Sequence, residues 1–582
     1  MSAAVRNTVC DPPRRGRLAR IRAAYLRRAP GLIATIALVL GLATLAEAFL
    51  PHERHRVKVI AQIVPVPATA AATAIVAVSG LLLLQIAAGL RKRKRRAWRA
   101  GVAITALTTI ARLFREEPRP VEGAISLALL VMLIAARSRF VAKADPRTRW
   151  FAVVIFAQFF AVAVVYGLGL LYFSGQTFGH PSFSARLQEV LYALVGAQAH
   201  VAFRGERFAD IFYWTLFIFG LVTVVVVALL ALRPSEPIAR LSLGDEERLR
   251  DLLARQGERD SLGYFALRRD KSVLWSPTGK AAITYRVVQG VALASGDPLG
   301  DPEAWPGAMA EFLRLAEEYA WTPAVIGCSE QGATVYKREC DLSAIALGDE
   351  AIVEVEEFTL DGRSMRGVRQ ACTRVARAGF EVRVRRARDI DSGEFAELGR
   401  LAEAWRGDAV ERGFSMALSR IGDPADGDCV IATACQDGRL RGLLQFVPWG
   451  ADGLSLDLMR RDRTADNGLN ECMIAGLVEQ CPTLGVRRIS LNFAVFRDAL
   501  ERGEKIGAGP ILRVWRGVIV FVSRWWQIES LYRFNVKFRP YWEPRFLSYP
   551  SARDLPRIAI AALEAEAFLV RPRRLKRMLG RG

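Results

Sequence analysis

The sequence predicts two parts in succession, an α-helical polytopic membrane domain and then an α+β domain in which helices alternate with antiparallel strands. Three observations carry this expectation. Apolar stretches of near-membrane length crowd the first 232 residues; the chain is 52% hydrophobic yet has a formal net charge of +22; and beyond residue 237 the composition turns to short alternating strands between polar helices. So apolar and so basic a chain is expected to meet a membrane and something polyanionic. The eight cysteines are scattered, with no C-x-x-C pair and no metal-ligand spacing, and read as reduced, mostly buried thiols with no metal. All four histidines lie at or before His200, so chemistry in the second part proceeds without an imidazole base.

Residues 1–30 form a basic N-terminus, followed by six apolar segments within 31–232: 31–50, 69–90, 97–113, 121–136, 150–173 and 211–232. The third and fourth are short against the ~20 residues a span needs. The basic run is not followed by a small-residue cleavage site, so it reads as the flank of an anchor and not as a signal peptide. Basic residues fill alternate loops: the N-terminus, RKRKRRAWR at 91–99, and the stretch from Arg137 to Arg149. Lysine and arginine mark the cytoplasmic side, which places both termini in the cytoplasm of a multi-pass protein of the cell inner (plasma) membrane. The spans hold almost no ionisable residue apart from Glu47 and Arg112, and show no inverted repeat. This points to an anchor, or a lipid gate, over an ion-coupled transporter.

The change of composition at 233–237 marks the boundary of the second part. In its first subdomain, 241–388, strands are expected at 264–265, 272–275 and 281–296, a helix at 304–319 and a strand at 322–328. The next helix carries Arg363, Arg366, Arg369, Arg374 and Arg377 at helical spacing, either a solvated face or a phosphate-binding one. From 389 to 566 the pattern repeats: helix 393–406, strands 429–435, 439–448 and 454–458, helix 470–479, strand 487–493. Helix, antiparallel strands, helix, strand is the order of an acetyltransferase-like (GNAT-type) fold, here in tandem. The stretch 511–528 is apolar and aromatic but broken by three arginines, and reads as interfacial or as a core helix. The tail 567–582 contains RPRRLKR, either solvated or set against anionic lipid or RNA phosphate.

The stretch 453–473 concentrates the chemistry. It opens as an alternating strand bearing Asp457 and Arg460 near its end, turns at Asn467-Gly468, and enters a helix at Asn470–Glu471. An Asp-x-x-Arg pair is often only a surface ion pair. A coenzyme A-dependent transferase would place a glycine-rich, phosphate-cradling loop here. The loop RRDRTADNG has one glycine, so no coenzyme A, and no other cofactor, is expected.

Asp457-Leu-Met-Arg460 with the Asn467-Gly468 turn, Ser364-Met-Arg-Gly-Val-Arg369, Gly296-Asp297-Pro298, Leu531-Tyr-Arg-Phe-Asn-Val-Lys-Phe-Arg-Pro540 and Trp542-Glu-Pro-Arg545 together resemble the aminoacyl-phosphatidylglycerol synthases, the catalytic domain of multiple peptide resistance factors. The likeness covers roughly 241–566 and is closest to the mycobacterial lysyl type, without its fused lysyl-tRNA synthetase. It implies two acetyltransferase-like folds with a tunnel between them, which transfer an amino acid, most often lysine, from its tRNA to phosphatidylglycerol. It also implies a separate synthetase to charge the tRNA and a product that lowers the negative charge of the membrane, giving resistance to cationic antimicrobial peptides. On this resemblance Asp457 binds the aminoacyl amino group or assists proton transfer from the lipid hydroxyl. Arg460 and Lys537 hold phosphate or stabilise the oxyanion, with Arg533 in support; Glu471 and Glu529 face the cationic amino acid; Arg366 and Arg369 meet tRNA. Lys537 alone would read as a solvated lysine at the start of an edge strand. Two other functions stay open: aminoacylation of a peptidoglycan precursor by charged tRNA, and a non-enzymatic lipid flippase or binding protein.

Overall fold

A computed structural model of the chain describes residues 31–43, 82–84, 86–87, 89–91, 95–113, 120–137, 140, 148–199, 201–231, 236–407, 411, 413–495 and 528–569. It divides into two compact units, Met1–Ser235 with Glu318–Ala320, and Glu236–Glu317 with Trp321–Gly582. The basic N-terminus, the segments 511–527 and 571–577, and much of the predicted second span lie outside the described residues.

The first unit is helical: α1 (Gly31–Ala43) and α2 (Leu82–Arg91), then α3 (Arg95–Leu113), α4 (Pro120–Ala135), α5 (Thr148–Phe173), α6 (Phe183–Leu194) and α7 (Glu206–Ala231). Among the described residues two stretches, Phe156–Phe173 of α5 and Glu206–Val227 of α7, are long and apolar enough to cross a membrane. Both helices leave large apolar side chains bare, Val165 at 71% and Trp214 at 57% exposure, a surface ill suited to water. Helix α3 starts inside the predicted basic loop 91–99, because arginine is a good helix former and its charge does not stop a helix. Helix α6 goes beyond the sequence expectation, since FSARLQEVLYAL is too polar to read as a span. It begins at Ser182, whose Oγ accepts from the Ala185 N–H, and it docks where its neighbours lack side chains. A Cβ on Gly220 of α7 would lie 2.1 Å from the Leu194 carbonyl oxygen, and one on Gly167 of α5 2.8 Å from Val190. Buried Glu189 of α6 accepts from the Ala199 and Val201 N–H groups and from the Tyr213 hydroxyl.

The described residues of the second unit are built on one twelve-stranded sheet. Its strands are β1 (Ser272–Trp275), β2 (Ala281–Val288), β3 (Val291–Ser295), β4 (Leu299–Gly300), β5 (Thr322–Cys328), β6 (Ser343–Glu354), β7 (Phe380–Arg386), β8 (Val430–Gln436), β9 (Arg439–Trp449), β10 (Gly453–Arg461), β11 (Arg488–Val495) and β12 (Tyr541–Tyr549). The spatial order is β1-β2-β3-β5-β12-β6-β11-β10-β9-β8-β7, with β4 beside β2. Among these strands only β3 with β5 and β10 with β11 run parallel. Each parallel step is bridged by a helix, α9 (Trp305–Tyr319) and α13 (Leu469–Leu484), as a parallel crossover requires. The other helices are α8 (Leu243–Gln256), α10 (Glu330–Cys340), α11 (Arg366–Arg377), α12 (Ser392–Arg406), α14 (Ile528–Val536) and α15 (Leu555–Ala565).

The sequence places a boundary at 388/389, but the sheet runs across it. Strand β12, from the C-terminal stretch, lies between β5 and β6, and β6 in turn pairs with β11. One cluster of core residues joins the sheet to α11 and α13 through Val368, Val375, Leu469, Met473 and Leu477. Another joins it to α8 and α12 through Leu249, Leu252, Leu398 and Ala402. Two local expectations change. Residues 264–265 lie in a 3-10 turn, Gly263–Leu267, and 281–296 is a hairpin whose turn puts Gln289 and Gly290 at φ 53° and 71°.

Candidate active site

Strand β10 alternates until Leu456, then breaks register. Leu456 opposes Phe446 and Leu458 opposes Gln445, which leaves Asp457 as the extra residue of a β-bulge. A bulge re-aims the side chains that follow it. Leu456 and Met459 pack with the α11–α13 core, Leu458 with the α8–α12 core. Asp457 and Arg460 accordingly take their partners on the α12 side of the sheet.

Asp457 is held by two donors. Its Oδ1 accepts from the Leu418 N–H at 2.6 Å and its Oδ2 from Gln445 Nε2 at 2.6 Å. Burial pushes this carboxyl up to about 6, against the pull of those two hydrogen bonds, and Glu411 and Asp426 push the same way as burial. The donor at Leu418 is fixed in advance. Arg268 donates to the carbonyls of Gly413 and Ala417, Glu566 accepts from the N–H groups of Phe414 and Ser415, and Gln445 donates to the Arg420 carbonyl.

Arg460 does not pair with Asp457, which removes the simple ion-pair reading. Its Nη2 meets Glu411 Oε1 at 2.9 Å, and the other oxygen of Glu411 meets Arg406 at 3.1 Å. Lys537 follows the end of α14, and β12 beyond it is an interior strand, so the edge-strand reading of this lysine also fails. Its Nζ lies 2.7 Å from Glu471 Oε1 in the first turn of α13. The expected phosphate ligand and the expected receptor of a cationic amino acid therefore neutralise each other across 66 residues of sequence. Helix α13 and Phe538 belong to the α11 side, so this pair lies on the opposite face of the sheet from Asp457 and Arg460.

A gap in the sheet lies between them. Strands β10 and β11 pair only from Gly453–Ser455 to Arg488–Ser490, then part just before Asp457. At the parting Asn492 adopts φ 67°, and its Nδ2 donates 2.5 Å to the Leu456 carbonyl where a ladder bond would have continued.

The remaining candidates spread outward. Arg369 donates to the carbonyls of Leu360 and Gly362 and so braces a loop, while Arg366 is exposed at the start of α11. Arg374 donates to the Asn467 carbonyl at 2.7 Å, tying α11 to the turn before α13. That turn needs glycine: Gly468 has φ 99°, and a Cβ there would lie 2.7 Å from the Ala371 Cβ. Arg533 is exposed on α14; Glu529 opens that helix, and its side chain lies outside what is described.

A second charged cluster is fully buried. Arg545 of β12 bonds to Asp260, Glu350 and Ser261, and Glu350 also accepts from Ser261 and Ser490. Nearby Asp297 accepts from Ser329 N–H and Oγ at 2.9 and 2.5 Å; burial and then Asp260 push its carboxyl up to about 6. Two segments singled out in the sequence, Gly296-Asp297-Pro298 and Trp542–Arg545, thus meet in one network that stitches β12 into the sheet.

Sequence reasoning missed Gln445, Glu411, Asn492 and Asn535. Gln445 and Asn492 carry a signal, an amide inside a mostly apolar run, LLQFV and ISLNFAV, whereas Asn535 lies between Arg533 and Lys537 in LYRFNVKF. Glu411 carries none.

The family profile described as "Phosphatidylglycerol lysyltransferase, C-terminal" matches residues 250–549, just over half of the chain. The chain belongs to that family. Its curated relatives include the "Lysylphosphatidylglycerol biosynthesis bifunctional protein LysX" of Rhodococcus jostii (strain RHA1), 45% identical over 503 residues that make up 85% of this chain and 44% of that one. The protein of the same name from Mycolicibacterium vanbaalenii is 43% identical over 556 residues, 93% of this chain and 49% of that one. The chain thus spans about half the length of these relatives. Among solved structures, "The structure of L-PGS from Bacillus licheniformis" covers 58% of this chain and 99% of that chain at 22% identity with a TM-score of 0.50, a likeness of fold. The family match spans both halves of the sheet and every candidate site residue.

Proposed function

We propose that the chain transfers an aminoacyl group, lysyl in the first instance, from aminoacyl-tRNA to a glycerol hydroxyl of phosphatidylglycerol. The observation that carries this reading is the gap between β10 and β11, with Asp457 and Arg460 on one face and Lys537 and Glu471 on the other. Two large substrates that cannot share one entrance approach such a gap from opposite sides. The relatives' shared name, lysylphosphatidylglycerol biosynthesis, supports the choice of lipid and amino acid.

The exchange is ester for ester. The lipid hydroxyl attacks the aminoacyl carbonyl, the ribose oxygen of the tRNA leaves, and one proton passes from the first oxygen to the second. Asp457, titrating near 6, is suited to take that proton and hand it on. Arg460 and Lys537 exchange their carboxylate partners for lipid phosphate or for the developing oxyanion. Glu471, released from Lys537, receives the cationic amino acid. Arg366 and the exposed arginines of α11 meet tRNA phosphate, which is sequence-independent and salt-sensitive.

In this reading the second unit is a tandem of acetyltransferase-like modules that share strands. The first unit is a multi-pass anchor in the plasma membrane with both termini in the cytoplasm, where an aminoacyl-tRNA synthetase supplies the donor. The product lowers the negative charge of the membrane and with it the binding of cationic antimicrobial peptides. The test is transfer in vitro from a panel of labelled aminoacyl-tRNAs to phosphatidylglycerol vesicles. Label in the lipid fraction, greatest with lysyl-tRNA, is expected; no lipid label from any donor with folded protein defeats the proposal.

A further inference from the structure

Residues 413–419 belong to neither helix nor strand, so their buried backbone groups need partners from elsewhere in the second unit. The segment bends sharply at both ends, with Gly413 at φ 104° and Ser419 at φ 60°. Phe414 is fully buried in one core cluster with Ala561 and Ala565 of α15, and Lys271 Nζ and the Arg286 guanidinium lie 4.6 and 5.0 Å from the centre of its ring. Glu566, the residue after α15, takes up the donors. Its Oε2 accepts from the Phe414 N–H at 2.6 Å, its Oε1 from the Ser415 N–H at 3.0 Å and the Ser415 hydroxyl at 2.5 Å, and its carbonyl from the Gly413 N–H at 3.4 Å. Arg268 takes up acceptors of the same segment, the Gly413 and Ala417 carbonyls and Ser419 Oγ.

Glu566 is only 6% exposed, and burying a carboxylate is an expensive way to brace a loop. What this loop delivers is the Leu418 N–H, which meets Asp457 Oδ1 at 2.6 Å. The link from Glu566 to Asp457 therefore runs through the backbone of four residues, and it makes the end of α15, docked on the first half of the sheet, part of the support of a site in the second half.

We propose that Glu566 is a positioning residue for the transfer reaction: by holding residues 413–415 it presents the Leu418 N–H to the carboxylate of Asp457. This rests on the aminoacyl-transfer reading and deepens it. Glu566 has two routes to Asp457, and they have opposite signs. Through space, removal of a negative charge favours the Asp457 carboxylate and moves its titration down. Through the loop, removal of the brace frees the Leu418 N–H, and a carboxylate that loses such a donor titrates higher. The other groups bearing on Asp457 stay as they are: Glu411 with Arg460 and Arg406, Asp426 with Arg250 and Arg420, and the Cys429 thiol. Those bearing on Glu566 are Lys271 and Arg286, which also face Asp270 and Arg268.

The pH dependence of kcat for transfer from lysyl-tRNA, measured on the full chain in phosphatidylglycerol nanodiscs, reads the sign. In Glu566→Gln the introduced NH2 faces an N–H of the loop, and the acid limb near 6 should move up by about one pH unit. That shift is a loss of about fivefold at pH 6 and less than about 1.2-fold at pH 8, with KM for lysyl-tRNA unchanged. Ser415→Ala keeps the Glu566 charge and removes one of its bonds, and should move the limb the same way by a smaller step. Hydrogen–deuterium exchange over 413–419 should be faster in Glu566→Gln than in wild type. A limb that stays in place or moves down overturns the positioning role, as does a loss of rate that is uniform with pH, the mark of a merely structural residue; unchanged exchange in the loop overturns it too. If Glu566→Gln does not fold, the limb of Ser415→Ala decides alone. Exchange needs no substrate: a faster loop in a chain that transfers nothing would sink the functional proposal and leave the brace standing, whereas transfer with an unmoved limb would do the reverse.

Discussion

Replacing Asp457 by asparagine changes almost no volume but sets a conflict. Both carboxylate oxygens accept from donors fixed elsewhere, the Leu418 N–H and the Gln445 amide. Asparagine offers one oxygen and one NH2, so one of these contacts becomes donor against donor. The loss of a hydrogen bond with its partner left buried costs about 1–3 kcal/mol. Set against this, the variant sheds the penalty of a buried charge. With the folded carboxyl near 6 and the ordinary aspartate at 3.8, the folded state holds the extra proton between those values. Stability from this group is therefore greatest below about 3.8 and falls by about 3 kcal/mol as pH rises through 6. At pH 7.5 the two effects nearly cancel, and Asp457→Asn should melt within a few degrees of wild type. Transfer is another matter: loss of the proton acceptor should lower kcat by about 10²–10⁴ and erase an acid limb near pH 6. Wild-type activity in an Asp457→Asn protein that melts within those few degrees would show that Asp457 only positions the Leu418 loop, and the proton-transfer role would fall.

Three more outcomes follow from the charged groups. Arg545→Met, measured by thermal melting, should cost about 3–5 kcal/mol, because Glu350 and Asp260 are left buried and unpaired; the additional change Glu350→Gln should return part of it. Lys271 is fully buried, its Nζ donating to the Phe265 carbonyl and Ser295 Oγ, and burial first, then Arg268, brings it down to about 7. The unfolded chain then binds the extra proton between pH 7 and 10.5, so stability rises with pH in that window, by about 2 kcal/mol from pH 7 to 9; Lys271→Met should flatten the slope. Finally, the apparent affinity for lysyl-tRNA should fall steeply between 50 and 200 mM salt, and Arg366→Ala should lower that slope by about one phosphate contact without changing which amino acid is transferred.

The strand–loop–helix from Gly453 to Leu484 was legible because its signals are local: alternation, an Asn-Gly turn, then helical periodicity. The strands that lock the sheet were not. SAIALGDEAIVE carries Gly-Asp-Glu in its middle and reads as a turn, yet Glu350 is buried there because Arg545, 195 residues away, arrives to pair with it. YWEPRFLSY contains a proline, which argues for an edge, yet β12 is internal, with Pro544 in register opposite Asp349 and a register shift one residue later at Arg545/Phe546. The bulge at Asp457 has no glycine or proline to announce it, and so its partners, Leu418 and Gln445, could not be read from spacing. What the sequence did carry was cost. Gln445, Asn492 and Asn535 sit where an apolar residue would have stabilised the core more, and a chain keeps a buried amide only if something bonds to it. For Gln445 that partner is Asp457 and the Arg420 carbonyl, both within the fold. For the oxygens of Asn492 and Asn535 the described residues supply none.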